Sequence, residues 1–338
     1  MSFSLAARVL LAAATAALAA AQWPPPGPET DWLSAAGHGV FTHYLDGLQN
    51  NFGPNSQGRN TTWSDAVDEF DVEAYAASAA QANARYAVIT VMQGSRFMIA
   101  PNAAYDAFTG FAPGEACARR DLVLDLSAAL SARGIRLMLY YTGDGPWEDD
   151  QATAGLGWPA PSPRDRSNLP LLYIERWTEV LREYAERYGD RVSGWWVDGC
   201  YRYFNYTDAK LAFFTLAIRA GNPQGLVAVN QGVVHPISRY SAYEDYTCGE
   251  SNDLTEVPAG RFVNGSQWHT LSFLGNGWAQ PGIRYDAATL GAYIRAVNVQ
   301  EGAVTVDLQL LRNGSMNSLQ AAVIGAATAA AARGLAGV

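Results

Sequence analysis

Basic residues are few in this chain and widely scattered. Against 32 Asp and Glu there are 23 Lys and Arg, a net charge of −9, and Lys210 is the only lysine. Neutralising phosphates takes clustered Lys or Arg, and no dense basic run occurs, so nucleic acid is not an expected partner. Cysteine is equally sparse. Cys117, Cys200 and Cys248 permit at most one disulfide and leave a thiol over, so the fold does not rest on a disulfide framework. The four histidines stand apart, none in an H-E-x-x-H or Cys-x-x-Cys setting, and no metal is expected. No cofactor is expected either: no G-x-G-x-x-G follows a strand pattern and there is no P-loop. A serine triad lacks its G-x-S-x-G elbow. The longest apolar run is too short to span a bilayer comfortably.

What remains is a chain of 338 residues, 49% hydrophobic and 16% charged, enough for one large folded core. Residues 1–21 carry Arg8, the apolar run Val9–Ala20 and a small-residue end before Gln22, the pattern of a secretory signal peptide. A secreted, extracellular protein is therefore expected. Residues 22–31 form a proline-rich lead-in without apolar period, read as an extended arm. Sequons at Asn60, Asn205, Asn264 and Asn313 would accept glycans if the host glycosylates secreted proteins.

From residue 32 to 338, strand and helix patterns alternate. Strand patterns occupy Gly39–Tyr44, Tyr86–Met92, Arg136–Tyr141, Gly194–Asp198, Leu226–Asn230, Ser241–Tyr246, Trp268–Phe273 and Ala303–Leu311. Helical periodicity is clear over Val72–Asn83, Arg119–Arg133, Leu171–Tyr188, Asp208–Ala220, Ala287–Gln300 and Ser318–Ala332, while the connections after the fifth and sixth strands are only weakly helical. Eight strand patterns interleaved with helices predict an α/β fold of the (β/α)8 TIM barrel type, a single domain with no C-terminal β-sandwich.

The stretch Gly194-Trp195-Trp196-Val197-Asp198-Gly199 reads as a buried strand ending in a carboxylate at a sharp turn. In such a barrel the C-terminal strand ends carry the chemistry, and they would bring together His43 and Tyr44, Gln93, Tyr140 and Tyr141, Asp198, Asn230, Glu244 and Asp245, and Trp268 with His269. Carboxylates, amides and aromatics in one place are the equipment of a glycosidase. Each also has a plainer reading: Asp198 as a turn residue, His43 as a core histidine, Glu250 as a solvated loop acid, the tryptophans as packing. Trp195 and Trp196 face opposite ways, so only one can line the interior.

In order along the chain, Gly39–Tyr44, Arg85–Thr90, Leu139–Tyr141, Trp196–Gly199, Val229–Asn230, Asp245 to Glu250 and Gln267 to Trp278 together resemble the family-29 glycoside hydrolases, the retaining α-L-fucosidases. Gly39-Val40-Phe41-Thr42-His43-Tyr44 resembles the family's first strand, with Tyr44 in a tryptophan position. Arg85 to Thr90 resembles the second strand, Leu139-Tyr140-Tyr141 with Trp147 the third, Trp196-Val197-Asp198-Gly199 the fourth with its nucleophile, and Val229-Asn230 the fifth. Asp245-Tyr246 followed by Glu250 resembles the segment with the family's second carboxylate, and Gln267-Trp268-His269-Thr270 through Gly277-Trp278 the Trp-rich segment after it. Where the family has Lys-His-His-Asp-Gly-Phe, this chain has Met92-Gln93-Gly94-Ser95-Arg96-Phe97, so the two histidines that bind fucose hydroxyls have no counterpart.

The resemblance implies a retaining glycosidase acting on an oligosaccharide or glycoconjugate. Asp198 would be the nucleophile and Glu250 the acid/base, with Glu244 as the rival acid. His43, Tyr44, Gln93, Tyr141, Trp196, Asn230 and Trp268 would bind substrate. Two other readings stay open: a catalytically silent carbohydrate-binding protein on the same barrel, and a glycosidase for a different sugar.

Overall fold

The computed structural model describes residues 28–158, 166–167 and 169–335. The expected signal peptide and most of the expected arm lie outside them. The arm's last residues do not extend: Pro28–Ala36 is a helix, with proline at a first-turn position where its missing N–H costs nothing.

Seven strands form one parallel sheet: β1 His38–Thr42, β2 Tyr86–Thr90, β3 Arg136–Thr142, β4 Val192–Asp198, β5 Leu226–Val229, β8 His269–Phe273 and β9 Ala303–Leu308. Their order is β5-β4-β3-β2-β1-β9-β8, so the chain's last strand closes back onto its first. The remaining pair, β6 Phe262–Val263 and β7 Ser266–Gln267, makes a separate short antiparallel hairpin. Six strands, β1 to β4, β8 and β9, are followed by helices at the predicted places, Leu171–Tyr188 with the predicted bounds. Asp71 starts the helix Val72–Gln81 by accepting hydrogen bonds from the N–H groups of Glu73 and Ala74, which have no partner within the helix.

The expected sixth strand, Ser241–Tyr246, does not form. Its polar side chains turn back on the local backbone: Glu244 accepts from the Tyr240 N–H at 2.6 Å, and Arg239 donates to the carbonyl of Ser241 at 2.8 Å. Extended contacts begin a few residues later. Asp245 N–H donates to the Val227 carbonyl on β5, while Leu271 of β8 donates to Gly249 and accepts from Ser251. The curled sheet thus has its two edges linked by an irregular segment, 245–251, in place of an eighth regular strand.

Alternation along the strands separates two cores. Phe41, Val88, Met138, Tyr140, Trp196 and Leu271 face the inside of the curl. Leu137, Leu139, Tyr141, Trp195 and Val197 face the helices, where Tyr141 stacks on Trp177 with ring centroids 4.7 Å apart. All three cysteines are buried and unpaired. No helix among the described residues is long and apolar enough to cross a membrane.

Candidate active site

Parallel pairing sets the site. Tyr140 lies opposite Trp196 and Thr142 opposite Asp198, so Trp196 and Asp198, two residues apart, share the inner face with Tyr140. The rings of Tyr140 and Trp196 stack at 5.5 Å. Beyond Asp198 the backbone enters the left-handed region at Gly199, φ +66°, where a Cβ would stand 2.5 Å from Oδ1 of Asp144. Only glycine suits that turn.

Asp198 accepts three hydrogen bonds. Tyr140 donates to Oδ2 at 2.6 Å, and Tyr201 and Asn230 donate to Oδ1 at 3.1 and 2.8 Å. The same amide nitrogen of Asn230 donates to Oε2 of Glu250 at 2.7 Å. Two bonds meeting at one nitrogen hold the facing carboxylate oxygens of Asp198 and Glu250 within about 5.5 Å of each other. Asn230 is oriented for this from behind: its carbonyl oxygen accepts from Gly232 N–H at 2.9 Å and from the Cys248 thiol at 3.1 Å.

Glu250 reaches the site on the irregular segment 245–251. Gly249, φ +60°, permits the approach, because a Cβ there would lie 2.0 Å from the His269 carbonyl. Burial pushes the Glu250 carboxyl up from its ordinary value to about 7, and the charge of Asp198 adds to the rise. The Asn230 hydrogen bond and His43 oppose it. A third acid, Asp144, is pushed up to about 6, first by burial and further by Asp198, while Thr142 and Arg166 hold it down through direct contacts.

His43 places Nδ1 2.9 Å from Oδ1 of buried Asp307, whose other oxygen accepts the Ala279 N–H at 2.7 Å. Asp307 therefore fixes the plane of the imidazole at the cavity wall. The cavity itself is about 320 Å³ and is lined by His43, Gln93, Tyr140, Trp196, Asp198 and Glu250, with Phe41, Leu271 and Trp278 among its apolar walls. Gln93 is exposed there. At the neighbouring Gly94, φ +71°, a Cβ would meet the Glu148 carboxylate at 2.9 Å and the Trp147 indole nitrogen at 3.4 Å, so a side chain there would have to displace Glu148.

Of the residues expected from sequence, Asp198, Glu250, His43, Gln93, Trp196 and Asn230 come together. Three do not. Tyr44 follows His43 by one residue and points the other way, packing on Trp63 and Phe70 with its hydroxyl bonded to the carbonyls of Ala66 and Arg312. Tyr141 is likewise one residue out of phase, and Tyr140 holds the place expected of it. Trp268 precedes the first residue of β8, at the end of the strand away from the rim, and is buried beside Gly302. His269 is buried there too, its ring bonded to Thr247 and Thr305, and burial lowers it to about 4.

Glu244, the rival acid, is buried outside the cavity lining. The sequence does not mark Tyr201, Asp144 or Asp307, and it marks Trp278 only as part of the Trp-rich segment. A lone carboxylate in the apolar run Ala303–Leu308 is the available signal for Asp307, while nothing local favours Tyr140 over Tyr141.

Two carboxylates tied by one amide, at the strand ends of a curled parallel sheet and above an aromatic-walled cavity, form the type of site that glycoside hydrolases build. The sequence matches the family model described as Alpha-L-fucosidase over residues 15–286, and the chain belongs to that family. No curated protein sequence matches it.

Among solved structures, an endo-fucoidan hydrolase of glycoside hydrolase family 107 is similar with a TM-score of 0.68 at 14% identity over 89% of this chain. This chain spans 53% of that hydrolase's length. An alpha-L-fucosidase from Lactobacillus casei in complex with its alpha-L-fucose product is similar over 92% of this chain and 100% of its own, with a TM-score of 0.63 and 16% identity. Alpha-L-fucosidase isoenzyme 1 from Paenibacillus thiaminolyticus gives a TM-score of 0.64 at 18% identity, over 92% of this chain and 76% of its own. At these identities the likeness is one of fold.

Proposed function

We propose that the protein is a retaining glycosidase acting on α-L-fucosides of oligosaccharides or glycoconjugates. Asp198 attacks the anomeric carbon while Glu250 gives its proton to the leaving oxygen. Glu250 then removes a proton from the water that releases the sugar. The observation that supports the reading is the Asn230 bridge, which keeps the facing oxygens of the two carboxylates no more than about 5.5 Å apart, within reach of the spacing of a retaining pair. Three donors hold the Asp198 carboxylate in place for attack, and the raised Glu250 supplies the proton, so the two acids take different roles. His43, Gln93, Trp196 and Trp278 bind the sugar. Because Glu148 and Trp147 fill the space at Gly94, the hydroxyl contacts there differ from a histidine pair, and a different deoxy or neutral sugar is the second reading.

A panel of aryl glycosides, hydrolysed by the purified protein, identifies the sugar. Asp198→Gly tests the mechanism: hydrolysis stops, the fold survives, and added azide attacks an activated substrate to give a glycosyl azide of inverted configuration. With Glu250→Ala, azide intercepts the glycosyl-enzyme and the product retains configuration. Wild-type turnover by Asp198→Gly makes Asp198 a turn residue and the assignment wrong. A protein that binds a glycan and cleaves none is the silent lectin-like alternative. We further propose secretion with a mature end near Gln22; mass spectrometry that finds intact Met1 on a cytosolic product refutes it.

A further inference from the structure

Strand β4 delivers more than Asp198. Just past Gly199, Tyr201 turns its hydroxyl back onto Oδ1 of Asp198, and a single turn of 3-10 helix, Arg202–Phe204, follows. Asn205 closes that turn in the left-handed conformation, φ 58°. The geometry sets the Tyr203 ring nearly parallel to Tyr201, centroids 5.1 Å apart at 25°, and edge-on to Phe204 at 4.5 Å and 68°. Phe204 is buried and carries the Arg166 guanidinium 4.5 Å over its ring.

Tyr203 is thus held in one orientation by its neighbours, yet it is 66% exposed. A single exposed aromatic residue is ordinary. This one stands one ring outward from Tyr201, which lines the cavity and touches Asp198. Partial burial raises its hydroxyl above the usual phenol value, and the charges of Asp144, Asp198 and Glu250 raise it further while Arg166 opposes them. Tyr203 therefore lies within the field of both reacting carboxylates. The reacting sugar fills the cavity, so the sugar it leaves extends over the mouth, where Tyr203 stands one ring outward from Tyr201.

We infer that Tyr203, mounted on Tyr201 and Phe204, is the platform of an aglycone subsite that takes the apolar face of a neutral pyranose. The C–H face of a pyranose packs on an aromatic ring and leaves its hydroxyls in water, which suits a ring open on one side. Among the described residues whose charges act on the Tyr203 hydroxyl, three carboxylates stand against one paired arginine, a balance that disfavours an anionic or sulfated residue there. The inference rests on the glycosidase reading above.

The test compares wild type, Tyr203→Ala and Tyr203→Phe on α-L-fucosyl fluoride, which has no sugar aglycone, and on α-L-fucosyl-(1→6)-N-acetylglucosamine, which has one. Tyr203→Ala raises KM for the disaccharide roughly tenfold and moves the fluoride less than about twofold, the worth of one aromatic contact. Tyr203→Phe keeps the ring and restores wild-type behaviour. Equal losses on both substrates mean that the ring only braces Tyr201, and no loss on the disaccharide means that no platform exists; either overturns the inference. If the wild type cleaves neither substrate, the fucoside reading has failed. Calorimetric titration with the same disaccharide then decides the platform: weaker binding by Tyr203→Ala supports it, and equal affinity or no wild-type binding overturns it.

Discussion

Tyr140 donates its hydroxyl to Oδ2 of Asp198 across 2.6 Å, while Tyr141, the next residue on the same strand, donates to the carbonyl of Trp177 in the helical layer. One step along β3 separates a residue of the site from a residue of the outer core. Tyr140→Phe removes a hydrogen bond to a charged group, worth ~1.5–3 kcal/mol, so kcat/KM should fall by roughly tenfold or more and the melting temperature by a few degrees. Tyr141→Phe should leave turnover intact and lose only a modest amount of stability. Equal effects of the two variants on kcat/KM would contradict this division of the strand.

The acid role of Glu250 has a pH signature. Its proton must be present for the leaving group to depart, so kcat/KM should decline as pH rises through about 7. The Asn230 hydrogen bond holds Glu250 down, and Asn230→Ala should therefore move that limb to higher pH as well as lower the rate. Initial rates on an unactivated glycoside across pH 4 to 9 measure both. A limb at the ordinary glutamate value would show that some other group supplies the proton.

Glu244 behaves differently because its burial is structural. It is pushed well above its ordinary value, chiefly by burial, with the Tyr240 N–H, the charge of Arg239 and the Val229 backbone opposing. A carboxyl raised on folding stabilises the native state below its unfolded value, and that contribution is lost as pH rises above about 4.5 toward the folded value. Glu244→Gln, uncharged at every pH, should remove this loss and keep full activity, whereas Glu250→Gln should abolish cleavage of unactivated substrates. Denaturant unfolding at pH 5 and pH 8, beside kcat for both variants, distinguishes them. Loss of turnover in Glu244→Gln would restore it as the acid.

Much of the scaffold was legible because its signals are local. Asp71, Asp121 and Asp286 announce helix starts through bonds to N–H groups two or three residues on, and the apolar runs at Val88 and Val227 need no distant partner to be recognised as strands. The sixth strand was not legible. Its apolar pattern is interrupted by Ser241, Glu244 and Asp245, and whether such polar groups sit in a ladder or satisfy nearby backbone depends on neighbours such as Arg219, which binds both oxygens of Asp245.

The sequence by itself determined the alternation of strands and helices, the carboxylate that ends β4 and the amide that ends β5. These follow from residue types at short spacing, and the chemistry of a carboxylate or an amide travels with the residue. Which member of a neighbouring pair faces the site was decided only by tertiary structure. His43 or Tyr44, Tyr140 or Tyr141, and Trp195 or Trp196 differ by one position, and a one-residue change of phase carries a side chain to the other face of the sheet. The partners of the site residues were decided there as well: Asp307 beside His43, Cys248 behind Asn230 and Glu250 across from Asp198 come from different strands and loops, and no local pattern encodes a contact that only the curled sheet creates.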